Sequence, residues 1–133
     1  MISPKAQQII EERTDDVIDR AQKLIDSTKI YEKMAPTQLK NLLEMSSSTD
    51  SAKALEVFIR YQMARRREWM SNNFGEKLLS EEFSWLSDLA KQISKDTGDD
   101  IKKVHLELIR LYLGYAHRYF VYKKSETSKG EGV

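Results

Sequence analysis

Ile10, Val17 and Leu24 recur every seven residues, and Thr14, Ala21 and Ile25 widen the stripe they make. With Ser3-Pro4 ahead of them as a helix start, this spacing predicts a helix from residue 4 to about 26. Its other faces carry Glu11, Glu12, Asp15, Asp16, Asp19, Arg20 and Lys23. Such an amphipathic helix packs on its own domain or on a neighbouring chain. A second helix begins at Pro36, with Leu39, Leu42 and Leu43 inward and Lys40 outward, and Ser46 to Asp50 breaks it. A third is expected over about 51–71, with Leu55, Phe58, Ile59, Gln62 and Trp69 on its core face. Lys53, Arg60, Ala64 and Arg67 fall opposite, Tyr61 and Arg65 share a flank, and Arg66 points into the apolar face, where it holds the helix in place.

Asn72 to Gly75 reads as a turn. Ser80 then caps a helix to about Lys95, with Phe83, Leu86, Leu89, Ala90 and Ile93 inward, and Thr97-Gly98 stops it. Asp99 or Asp100 starts the last helix, which continues to about Lys123. It is apolar around most of its circumference: Ile101, Val104, Leu108, Tyr112, Tyr115 and Tyr119 form one stripe, and Ile109, Leu113, Ala116 and Phe120 another. Such a helix is central in its domain or buried in a subunit contact. The expected fold is all-α, a compact bundle of about five helices in one domain over 1–124. The helix over 4–26 is its peripheral element, and 125–133 a disordered tail.

Composition narrows the chemistry. Of 133 residues none is cysteine, which removes disulfides, thiol catalysis and cysteine-ligated zinc and fits a cytoplasmic protein. No apolar run approaches the roughly 18 residues of a membrane span, and the charged start of the chain does not read as a secretory signal. The net charge is only +1. Its distribution is uneven: net −2 over 1–56, +3 over 57–75, −3 over 76–109 and +3 over 110–133. A near-neutral total therefore still admits an anionic partner.

Catalytic signatures are sparse. His105 and His117 are far apart, the glycines form no phosphate loop, and no serine sits in a nucleophile elbow. Glu12 and Asp15 lie three apart, as in helical metal-dependent nucleotide hydrolases, but Glu81-Glu82 and Asp88 do not supply a second pair. Asp99-Asp100 reads as a helix cap. The expectation is a protein with no catalytic residues, metal or cofactor. The cations are the better signal: Lys53, Arg60 and Arg67 recur by seven, small Ala64 leaves room for a backbone, and Tyr61 with Arg65 offers stacking beside a phosphate contact. Arg118, Lys123 and Lys124 form a possible second patch. An ordinary solvated helix face, or an adaptor surface pairing with acidic proteins, fits the same spacing.

Three segments together resemble one family. These are Pro36 to Leu43, Tyr61 to Arg65, and Leu108 to Tyr115 followed by Arg118-Tyr119-Phe120, in matching order and spacing over about residues 30–124. The family is the small subunit of the type III-A CRISPR–Cas (Csm) effector complex. Ala35 and Pro36 stand where it often has Thr or Ser, and no single motif is specific. The small subunit of the sister type III-B complex is the nearest alternative. The resemblance implies a non-catalytic helical subunit in antiviral defence that self-associates along a ribonucleoprotein filament. Its partners would be guide RNA, target RNA, the backbone subunit and the large polymerase-like subunit. Lys40 and Arg65 are the basic positions within the matching motifs.

Overall fold

A computed structural model describes the backbone of residues 1–131 and the side chains of residues 1–127. The elements are α1 (Pro4–Glu12), α2 (Thr14–Thr28), a 3-10 turn (Ile30–Glu32), α3 (Pro36–Ser48) and α4 (Ala52–Arg65). A second 3-10 segment (Arg67–Asn73), α5 (Phe74–Lys77), a π-helical stretch (Leu78–Phe83), α6 (Ser84–Thr97) and α7 (Ile101–Glu131) follow. From residue 74 to 97 the chain is one continuous helix. The described residues thus form about six helices and no strand, where five were expected.

α7 is the central rod. α2, α3 and α6 all pack along it, and Val104, Leu108, Ile109, Tyr112, Leu113, Ala116 and Phe120 are buried in the process. Asp100 receives the backbone N–H of Lys102 at its start. Gly98 ends α6 at φ 78°, the left-handed stop expected from Thr97-Gly98. The helix passes the Lys123 end expected for it. Residues 125–131, expected as disordered tail, continue it, and the last two residues lie outside the described ones.

The first helix is two. Arg13, at φ −101° and ψ 5°, separates α1 from α2. The Thr14 hydroxyl donates to the Ile10 carbonyl at 3.0 Å, a back-bond that bends helices. The bend lets α1 lie against α6 while α2 lies against α7. Ser3 anchors α1: its backbone N–H and hydroxyl donate to the two Asp99 carboxylate oxygens at 2.7 and 2.6 Å. Val17, Ala21 and Ile25 are fully buried, so the stripe expected over 4–26 is spent inside the domain.

The largest departure lies after α4. The helix expected to reach residue 71 stops at Arg65, and Arg66 is extended at φ −132°, ψ 116°. Trp69 then turns into the core with no exposed surface, donating its indole N–H to Gln38 Oε1 at 3.3 Å. Asn72 and Asn73 follow in the left-handed region, a conformation asparagine tolerates well. The Asn72 amide ties this turn to the Thr28 carbonyl at 2.8 Å. Ser80, expected as a cap, lies inside the next helix, and its hydroxyl donates to the Glu76 carbonyl at 2.7 Å.

The π stretch carries a buried polar knot. It places Leu78, Leu79, Glu82 and Phe83 inward together. Glu82 accepts from Arg20 Nη2 at 2.7 Å and from the Tyr112 hydroxyl at 2.8 Å. Arg20 also lies over the Trp85 ring at 4.9 Å. Burial, then the Glu82 charge, pushes the Tyr112 hydroxyl well above its ordinary range.

Candidate nucleic-acid interface

α3 and α4, joined by three residues, form an antiparallel helical hairpin. The Gln38–Trp69 bond places the start of α3 beside the end of α4. Only one face of α4 is needed for packing: Leu55, Ile59 and Gln62 are buried. At 3.6 residues per turn, Arg60, Lys53, Ala64, Val57, Tyr61 and Arg65 then span, in that order, an arc of about 140° on the other side. All six are exposed. Tyr61 and Arg65 form a unit, with the guanidinium 5.3 Å from the ring centroid and Nη1 3.4 Å from the hydroxyl.

The cations divide into two groups. Some are occupied. Arg110 donates to the Ser46 and Thr49 carbonyls and to Glu107 at 2.6–2.9 Å, closing the end of α3. Arg13 pairs with Asp16 at 2.8 Å. Lys124, expected in a second patch, donates to the Tyr31 and Met34 carbonyls at 2.9 and 3.0 Å, so it holds the 28–35 connection to α7. Lys123, from the same patch, lies over the Tyr31 ring and pairs with Glu126. Arg66 pairs with Glu68 at 3.7 Å. It stands outside the helix, at its C-cap, and not on the apolar face expected for it.

Lys53, Arg60, Arg65 and Arg67 are different: none has a carboxylate within ion-pair distance among the described residues. They are not equivalent. The break at Arg66 takes Arg67 off the helix, so the seven-residue row of Lys53, Arg60 and Arg67 does not exist as a straight face. Arg67 is exposed at the end of α4 instead. Lys53 borders a cleft of about 470 Å³ shared with Asp50, Glu56, Lys102 and His105, so acid moderates that end. The cations left free of carboxylates here, among the described residues, are Arg60, Arg65 and Arg67, with Val57, Tyr61 and Met70 also exposed.

Lys40 and Arg118 lie off the α4 face, each in the neighbourhood of His117. Both lie close enough to His117 to lower its pKa, after burial, which is the larger cause. Lys40 lies 3.9 Å from Glu44, with both side chains mostly in water. That contact is worth about 0.3–0.5 kcal/mol and is readily exchanged for another anion. Arg118 covers Tyr115 at 5.1 Å. Sequence spacing did not bring Lys40 near His117; the packing of α3 on α7 does.

Both histidines prefer to be neutral in the folded chain. His105 donates Nε2–H to the Phe83 carbonyl at 3.1 Å, and burial lowers its pKa below 6.5. The unfolded chain takes up these protons first, so stability is complete above pH 6.5 and falls as pH drops from there through the folded values. Urea midpoints measured from pH 7.5 to 5 should decline for wild type. They should decline less for the double variant His105→Gln/His117→Gln; parallel curves would refute this origin.

Glu12 and Asp15 flank the Arg13 bend, both exposed. No group of three or more acidic or histidine side chains converges on a metal position among the described residues. No helix there is long and apolar enough to cross a membrane. Comparison of the chain with protein-family models, with curated proteins and with solved structures finds no match.

Proposed function

We propose that this chain is a non-catalytic RNA-binding subunit whose α4 face neutralises phosphates. Arg60, Arg65 and Arg67 carry this reading, because they have no carboxylate partner among the described residues and stand beside an exposed tyrosine, while most other arginines are spent on carboxylates or carbonyls. Burying an arginine fork against a polyanion suits both its geometry and its charge. Lys53, Lys40 and Arg118 would extend the contact. The particular protein we infer is the small subunit of a type III-A CRISPR effector complex, on the resemblance of the segments at 36–43, 61–65 and 108–120. In that setting several copies act along one guide–target RNA, and weak single contacts sum to useful affinity. The type III-B small subunit would share this mechanism.

Salt dependence tests the phosphate contacts. Each one adds about 0.7 to the slope of log affinity against log salt for single-stranded RNA. Arg60→Gln/Arg65→Gln should therefore flatten that slope by about 1.4. An unchanged slope would remove both arginines from the interface. Copurification of the chain with a small guide RNA and larger subunits tests the complex; its failure to do so in its own host would remove that assignment.

A second occupant suits the same face. Val57 and Met70 are 64% and 50% exposed beside the arginines, and tyrosine, methionine and arginine are enriched in protein interfaces. An acidic protein partner would leave RNA binding absent at every salt concentration.

A further inference from the structure

We propose that Tyr61 and Arg65 form a stacking site for an unpaired RNA base, so that the α4 face prefers single-stranded nucleotides to a continuous duplex. This rests on the RNA-binding reading and goes beyond phosphate neutralisation, which needs no aromatic group. Tyr61 is 57% exposed, and the Arg65 guanidinium steadies its ring and hydroxyl. Val57, one turn earlier, is exposed beside it, and Ala64 adds no bulk. The arc thus runs from Arg60 through apolar Val57 to an aromatic face and a second arginine. Alternation of that kind matches a single strand, which offers phosphates and unstacked bases together. An A-form duplex keeps its bases stacked and offers side chains mainly sugars and phosphates. Against it, Val57 and Tyr61 would bury little.

The other tyrosines are committed. Tyr112 is buried on Glu82, Tyr119 donates to Asp26 at 2.8 Å, and Tyr122 is tied to Glu126, an acid that repels phosphate. Tyr31 and Tyr115 carry Lys123 and Arg118 over their rings much as Tyr61 carries Arg65, but both are half-buried. Tyr61 combines an exposed ring, one side of it against Arg65, with cationic and apolar neighbours and no carboxylate bonded to it among the described residues.

The full chain, in large excess at low salt, would be titrated into a short uridine-rich RNA carrying one central 2-aminopurine, alone and annealed to its complement. Stacking on an aromatic side chain is expected to favour the single strand by about 5- to 150-fold and to change the 2-aminopurine emission on binding. Tyr61→Leu should bring the single strand down to the affinity of the duplex and abolish the emission change, while Tyr61→Phe keeps both. Because the side chain is exposed, both variants should melt as wild type does, which separates a lost site from a lost fold. Equal affinity for the two RNAs, or an unaffected Tyr61→Leu variant, overturns the stacking site and leaves the phosphate reading standing. Binding to neither RNA overturns both.

Discussion

Trp69→Ala should lower the unfolding free energy by about 3–5 kcal/mol, the range for removing a fully buried tryptophan. The indole has no exposed surface, meets the Phe74 ring at 5.7 Å and bonds to Gln38. Its loss also releases the segment that ends α4. Arg66, Arg67 and the two left-handed asparagines hold their unusual path only because Trp69 goes inward and Asn72 reaches Thr28. Gly75 seats tightly here as well, since a β-carbon there would come 2.5 Å from the Met63 side chain. Urea unfolding followed by circular dichroism measures the cost. A loss under about 1 kcal/mol, the typical effect of any substitution, would mean that Trp69 does not anchor this segment. Trp69→Phe, which fills most of the space, should cost much less.

Glu82→Ala should cost about 3 kcal/mol. Breaking a buried pair leaves an uncompensated charge behind, typically for 3–5 kcal/mol. The low end applies because the Arg20 side chain keeps 34% of its surface in water. The Tyr112 hydroxyl, buried with no other acceptor among the described residues, adds its own desolvation penalty. Replacing the whole knot should recover most of the loss, because an apolar set of similar volume needs no partners. Arg20→Met/Glu82→Met/Tyr112→Phe should therefore be more stable than Glu82→Ala alone in the same urea titration. If the triple variant is worse, the knot stabilises the fold by more than mutual satisfaction of its members.

Much of the fold was legible because it depends on local rules. Pro4 and Pro36 mark helix starts, Gly98 marks a stop, and the double stripe from Ile101 to Phe120 announces a helix covered on most sides. The same regularity misleads where a long-range contact outweighs it. Residues 51–71 keep a helical period through Trp69, but the path that seats Trp69 against Gln38 and Phe74 requires an extended Arg66. The bend at Arg13 likewise follows from docking α1 on α6 and α2 on α7 separately. The first signal does not exist in a window of neighbouring residues, and of the second only the Thr14 back-bond to Ile10 is local.

The candidate site divides in the same way. Lys53, Arg60, Tyr61 and Arg65 share a face because they lie on one α-helix, and helix geometry is set by the spacing alone. Which cations remain free is not. Lys124 and Arg110 are chemically as able to meet a phosphate as Arg60. They are consumed by carbonyls at Tyr31, Met34, Ser46 and Thr49 that only the packing of α3 and the 28–35 connection on α7 brings within reach. Periodicity thus determined the helices and the outward face of α4. Tertiary structure decided where α4 ends, that Arg67 leaves its row and that Lys124 and Arg110 are spent on carbonyls, because buried side chains and unsatisfied carbonyls choose their partners across the whole chain.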